Sequence, residues 1–487
     1  MLTKQFSGRF QRDARGSVAV LLALGLTTLM GFAALGIETG LWYSIQRQAQ
    51  SAADAAALSG AYEIAAGSTV GTYSDICTQA KQAAATNDAA FASYSCPSTS
   101  PSCTSPSSGA MCVNNPPVGS SNDQQVEVYL AQQQSTFLAK LFLSSVTIGT
   151  HAVAQVTQVG LTCDLALGKT GTDISVQGSG TLDLNGCGMA ANSSASNSIY
   201  FGGGNNDVLD ASWFQTVGNY NSSGNPTLSV TTKLTDSAPV TDPYSCNPPT
   251  LGCAGKITYS WPTTSQACTS GGTSTPLQPG QYNACTTGPN KAAPMDFAGG
   301  TTTLCPGVYY LNGEYSGNAF YVHGGTVNMG TAGSGGCPAN GMSGVTIIAS
   351  SQSGPKGGGF QIQGGSVNLS APTAAYPSGC TVGTSTPCMP SGLLFYQDPS
   401  YADTSSHGGG LTADSSITAN SSNTILTGAM YTPVTNVTFS GNANSTCFIV
   451  ISLTMTYTGN STMSGNETAC KAVGVTAPEL MKIALTQ

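Results

Sequence analysis

Between Ser17 and Ile37 the chain runs 21 residues without a charged side chain, close to the roughly 20 that a helix needs to cross a bilayer core. Gly25, Thr27, Thr28, Gly31 and Gly36 inside it suit a membrane helix, where no water competes for the backbone hydrogen bonds. Lys4, Arg9, Arg12 and Arg15 precede the run against a single Asp13, and Arg47 is the only basic residue from there to Lys81. That bias predicts a cytoplasmic N-terminus over residues 1–16 and everything after Trp42 on the far side. Trp42 and Tyr43 stand where an interfacial aromatic anchor belongs. The predicted membrane anchor is therefore Ser17, Leu21, Leu22, Leu24, Leu29, Phe32, Leu35, Ile37, Trp42 and Tyr43. A cleaved signal peptide is the alternative. Its apolar core usually spans only about 7–15 residues before a small-residue site, and this run is longer and continues as helix.

The outer half, Gln46 to Ala66, is built from alanine and other strong helix formers. One unbroken helix over residues 17–66 is expected, about 75 Å long at 1.5 Å per residue. Its thin surface suits close helix–helix contact, with Gly36, Gly40, Ala52, Ala53 and Ala56 as the contact candidates. A solvated or core-packed stalk explains the same composition equally well.

Arg15-Gly16-Ser17-Val18-Ala19-Val20, Phe32-Ala-Ala-Leu-Gly-Ile-Glu38-Thr-Gly-Leu-Trp-Tyr43 and Ser51-Ala-Ala-Asp-Ala-Ala-Ala-Leu-Ser-Gly-Ala61 follow one another in register. Together they resemble the N-terminal module of TadG-like Flp pilus-assembly proteins of the bacterial tight-adherence system. The resemblance implies a single-pass inner-membrane protein whose bulk is periplasmic or at the cell surface. It also implies that the partners are other Tad/Flp assembly membrane proteins. Pilin-like members of that system are cut after a glycine and carry Glu at the fifth mature position. Here Leu21 stands five residues after Gly16, so no such processing is expected.

All 16 cysteines lie from Cys77 onward, beyond the apolar run. An even count in an exported chain argues for disulfides, and the candidates are Cys77, Cys96, Cys103, Cys112, Cys163, Cys187, Cys246, Cys253, Cys268, Cys285, Cys305, Cys337, Cys380, Cys388, Cys447 and Cys470. Spacing alone leaves their pairing open. No Cys-x-x-Cys occurs and the three histidines are scattered, so no metal site or cofactor is expected. The net charge is −8 and arginine is absent after Arg47, so nucleic acid, which needs a basic footprint, is excluded as a partner.

Residues 67–157 read as a small α+β domain. Tyr73 to Phe91 has helical character, Val126-Glu-Val-Tyr-Leu130 and Val146 to Val156 alternate like strands, and Thr136 to Phe142 reads as a short helix between them. This ending, with His151-Ala-Val-Ala154, resembles the second module of the same family. From residue 158 to 487 the texture becomes short β-prone runs separated by Gly, Asn and Ser. His323-Gly-Gly-Thr-Val-Asn-Met329 echoes Gln363-Gly-Gly-Ser-Val-Asn-Leu369. Such repetition suits a large all-β domain built as a parallel β-helix, with a β-sandwich as the competing arrangement.

Extracellular β-helices are often polysaccharide-cleaving enzymes, and glycoside hydrolysis needs two carboxylates across one bond. Candidate pairs are Asp207 with Asp210, Asp296 with Glu314, and Asp398 with Asp403, although acidic residues at such spacings are more often turn formers. The β-domain has no arginine, and its lysines are few, among them Lys169, Lys233, Lys256, Lys291 and Lys356. That scarcity disfavours binding of acidic sugars. Gly202 to Leu209 partly matches one calcium-binding repeat, but such sites need stacked copies. His407 has no identifiable partner. The expectation is a non-enzymatic accessory protein that displays a β-domain for protein, surface or glycan contact. A tethered carbohydrate-active enzyme and an adhesin are the alternatives.

Overall fold

The computed structural model describes residues 6–66, 73–106, 110–137, 140, 143–178, 182–203, 207–245, 255–285, 293–313, 317–402, 404, 413–419, 424–441, 447–459, 467–475 and 479–486. The chain divides into two compact units, Met1–Thr157 with Lys482–Gln487, and Gln158–Met481.

The first unit is organised by one helix, α1 (Phe6–Ala66), uninterrupted through both its apolar and its alanine-rich halves. Ala49, Ala52, Ala53, Ala56, Ala57, Ala61 and Ile64 form its buried face, at the three- and four-residue spacing that keeps one stripe covered. Packed on it is α2 (Tyr73–Asn87), which buries Ile76, Cys77, Ala80 and Ala84. Gly60 marks the closest approach: a Cβ there would lie 2.9 Å from a Val126 methyl and 3.3 Å from one of Ile76. Antiparallel strands complete the unit. β1 (Ala110–Asn114) pairs with β2 (Gln125–Ser135), and β2 with the first part of β3 (Ser145–Ala166). The short helix expected over Thr136 to Phe142 falls largely outside the described residues. The last strand, Glu479–Leu485, runs into this unit although its place in the sequence puts it with the β-domain. Thr486 donates its backbone N–H to the Val153 carbonyl at 2.9 Å.

The second unit is β-rich, and its described strand pairings are parallel. One ladder joins β3 through β5 (Leu182–Ala191) and β7 (Asp207–Thr216) to β9 (Thr227–Leu234). A second joins β4 (Ile174–Gln177) to β6 (Ile199–Gly202) and β8 (Tyr220–Ser223). The chain then returns to a remote set of strands and works back. Gly307–Asn312 pairs with Val345–Ser350, that with Leu393–Gln397, that with Ile425–Gly441, and that with Phe448–Thr458. Phe448–Thr458 closes the circuit, placing Val450 beside Asp164 of β3 and Met455 beside Ile174 of β4. The two echoed segments lie side by side, with Thr326 opposite Ser366, Val327 opposite Val367 and Asn328 opposite Asn368.

Identical side-chain positions therefore stack, and large apolar groups line the interior. Phe320 and Phe360 both contact Phe395, with ring centroids 5.9 and 4.8 Å away. Described residues of the segment linking the two sets of strands contact the stacked strands. Asn192 and Val240 exchange two hydrogen bonds of 2.8 Å, and the Tyr431 hydroxyl donates to Asp242 at 2.9 Å. Further on, the Tyr259 hydroxyl donates to Asp398 and accepts from the Ser350 hydroxyl.

Disulfides staple both units: Cys77–Cys96, Cys103–Cys112, Cys163–Cys187, Cys268–Cys285, Cys305–Cys337, Cys380–Cys388 and Cys447–Cys470. No cysteine among the described residues is free, and Cys246 and Cys253 lie outside them.

Candidate functional site

The apolar half of α1 exposes Leu21, Leu22, Leu24, Leu29, Phe32, Leu35, Ile37 and Tyr43, with Phe32 and Leu29 about 70 % accessible. Trp42 is half-buried, and the side chain of Ser17 lies outside the described residues. So much exposed apolar surface is tolerable in lipid and costly in water. The helix is long and apolar enough to cross a membrane.

The five helix-contact candidates divide into two groups. Gly36 and Gly40 are open, with nothing within 4 Å of where a Cβ would stand. Ala52, Ala53 and Ala56 are fully buried in the chain's own unit against α2 and the sheet. Their small size serves intramolecular packing, because a helix flanked on one side by α2 and β2 leaves that stripe no room for a partner.

Where the two halves of α1 meet, the buried Glu38 accepts the backbone N–H of Phe137 at 2.7 Å. Deeper in the same unit Glu127 anchors the sheet. Burial pushes its carboxyl up, but hydrogen bonds from the Val118 N–H, Asn114, His151 and Tyr129 outweigh that and hold it below the usual range. His151 lies 3.0 Å from Glu127 and stacks on Tyr129.

None of the three sequence-predicted carboxylate pairs is brought together among the described side chains. Asp296 faces His323 at 2.8 Å, and Glu314 is outside the described residues. Asp398 is held by Tyr259, and Asp403 is likewise outside. The side chain of Asp207 is not described, whereas Asp210 has Asp183 as its register partner on β5. Asp183 and Asp210 line an open cleft of about 750 Å³ with Ser212, Ser229 and Thr231. The Leu-Asp pair at 182–183 recurs at 209–210, but only the pairing of the two strands brings the carboxylates together. Neighbouring strands are about 4.8 Å apart, so two carboxylates at one register position stand on adjacent backbones. Two of the cleft's lining groups are acidic and none is basic.

A second cavity, of about 550 Å³, lies beneath the crossing segment and is lined by Lys169, Asn192, Asp242, Tyr244, Lys256, Tyr396 and Tyr431. The Tyr396 and Tyr431 rings stack in parallel with centroids 5.6 Å apart, and Tyr244 meets Tyr431 edge-on. Burial pushes the Asp242 carboxyl up, partly offset by hydrogen bonds from the Tyr244 N–H and the Tyr431 hydroxyl. Among the described residues no group of three or more His, Cys, Asp or Glu is placed to hold a metal ion. His407 lies outside them, as do residues 204–206 of the calcium-repeat-like segment.

These features define a class: a chain with, among the described residues, one membrane-capable helix, whose outer half is built into a folded unit, and a large disulfide-stapled unit of parallel strands. Residues 16–63, which fall entirely on α1, match the Tad family model, described as "Putative Flp pilus-assembly TadE/G-like". That similarity points to involvement in Flp pilus assembly and to association with the assembly machinery. Comparison with curated proteins and with solved structures gave no match.

Proposed function

We propose that this chain is a membrane-anchored, non-enzymatic accessory protein of a Flp/Tad pilus-assembly apparatus. The single observation that carries the reading is the Tad match over residues 16–63, which coincides with a helix that exposes apolar side chains at one end and buries alanine at the other. The basic N-terminal flank places residues 1–16 in the cytoplasm and both folded units across the inner membrane, where disulfides form readily. Open Gly36 and Gly40 give α1 a face for helices of other assembly proteins. The parallel ladders are read as faces of a β-helix whose coils continue from Phe448–Thr458 directly into β3–β9. Its low-charge surface offers contact to proteins or glycans, with the tyrosine-lined cavity as the most structured place for a neutral sugar.

The Asp183–Asp210 cleft favours a second reading, a tethered carbohydrate-active enzyme. Two experiments separate them. Solubilised membranes carrying tagged full-length chain should co-isolate Tad membrane proteins, and Gly36→Leu with Gly40→Leu should abolish that. Recovery of the chain without them contradicts the accessory role. Turnover of a polysaccharide panel by the purified chain, lost in Asp183→Asn with Asp210→Asn, would establish the enzyme.

A further inference from the structure

We propose that the chain meets the membrane twice: once through α1, and again through Phe137 and Leu143, beyond the end of β2 and before the start of β3, which seat in the headgroup and acyl boundary beside that helix. The inference rests on the reading that α1 spans the bilayer. Phe137 is 86 % exposed and Leu143 53 % exposed, and both belong to the folded unit rather than to the apolar run. Thr136 holds them at one level, because its hydroxyl donates to the Leu143 carbonyl and its N–H to the Ser144 carbonyl. The height of Phe137 is fixed by the 2.7 Å hydrogen bond from its backbone N–H to Glu38. Glu38 directly follows Ile37, the last residue of the uncharged segment.

The covered stripe of α1 reaches the same level, with Trp42 half-buried, Glu38 buried and Ala34, one turn further into the segment, half-buried. A folded unit that descends this far beside a spanning helix has Phe137 and Leu143 at the interface, where Trp42 and Tyr43 also lie. In water two such exposed apolar side chains would be costly. At the boundary they are favourable, and exposed Lys140 between them reaches phosphates as interfacial lysines do. Glu38, sequestered by the Phe137 amide, is kept from facing lipid.

The test is a photoreactive benzophenone side chain placed singly at positions 137, 143, 37 and 62 of the full-length chain in native membranes. Lipids carry a clickable acyl tag, and Tyr62, exposed on the outer half of α1, marks a position well clear of the membrane. Lipid adducts are expected at 37, 137 and 143 and are lost at 62. Adducts at 37 with none at 137 and 143 overturn this inference and leave the anchor standing. Loss of adducts at 37 overturns the anchor itself, and this inference with it.

Discussion

Asp164 gives the most quantitative handle on the β-rich unit. It lies on β3 between Val450 and Met189, fully buried, and no hydrogen bond of ordinary geometry reaches either carboxylate oxygen. Burial pushes its carboxyl up to about 7 from the ordinary aspartate value of 3.8, with the nearby Tyr457 phenol offsetting a little of that. The folded state thus holds the proton more tightly than the unfolded chain. The contribution of Asp164 to stability is greatest below about pH 4, falls as the pH rises towards 7, and is flat above. A shift of that size sets a ceiling of about 4 kcal/mol lost between pH 4 and 8. Asp164→Asn keeps the shape and cannot ionise. It should abolish that share of the pH slope and be more stable than the parent at pH 8 by about 1–3 kcal/mol, once the burial of an amide is set against it. Urea unfolding of the full-length chain in detergent at pH 4.5, 6 and 8 reads this, with Trp213, fully buried in the unit, as the probe. Asp173 is also pushed up to about 7 by burial, offset by backbone donors from Ser193 and Asn192, so part of the slope survives in the single variant. An unchanged slope, or an Asn variant less stable than the parent at pH 8, refutes the reasoning.

The first unit carries the opposite sign. Glu127 is held below its ordinary value, so it contributes stability above the unfolded value of about 4.5, lost as pH falls through the lower folded one; Glu127→Gln should destabilise the unit at pH 7 and cost progressively less in acid, measured by thermal melts across pH. Gly60→Leu drives a side chain into Val126 and Ile76 and should cost about 1–3 kcal/mol, seen as faster proteolysis of residues 73–157 while the β-rich unit stays resistant. Cys163→Ala with Cys187→Ala opens a loop with a sequence separation of 24 and should cost about 3 kcal/mol, lowering the urea midpoint of the β-rich unit.

What the residues disclosed in advance were local features. The uncharged run, the alanine stripe, the Tyr73 helix and the alternating strands near Val126 and Val146 are periodic over a few turns or pleats, and each forms where its pattern lies. The echo at His323 and Gln363 even announced two strands that pair directly. The long-range circuit was not readable. Nothing in Val450-Ile-Ser452 says that it pairs with Asp164-Leu-Ala166, because a parallel ladder is set by stacking of interior side chains, not by a turn motif. The same holds for Asp183 and Asp210, which share a cleft only because β5 and β7 stack in register. Ala52, Ala53 and Ala56 show the reverse problem, since small residues on a helix look alike whether they serve a partner or the chain's own core.

The central claim, that α1 installs this chain in a pilus-assembly apparatus, is tested most directly by counting surface pili. The strain would lack the gene and be complemented with either the full chain or one in which residues 16–63 are replaced by an unrelated apolar helix of equal length. The account predicts bald cells without the gene, pili restored by the full chain, and none with the replaced helix although it still reaches the membrane. Normal pili in the deletion strain, or full restoration by the unrelated helix, would contradict it.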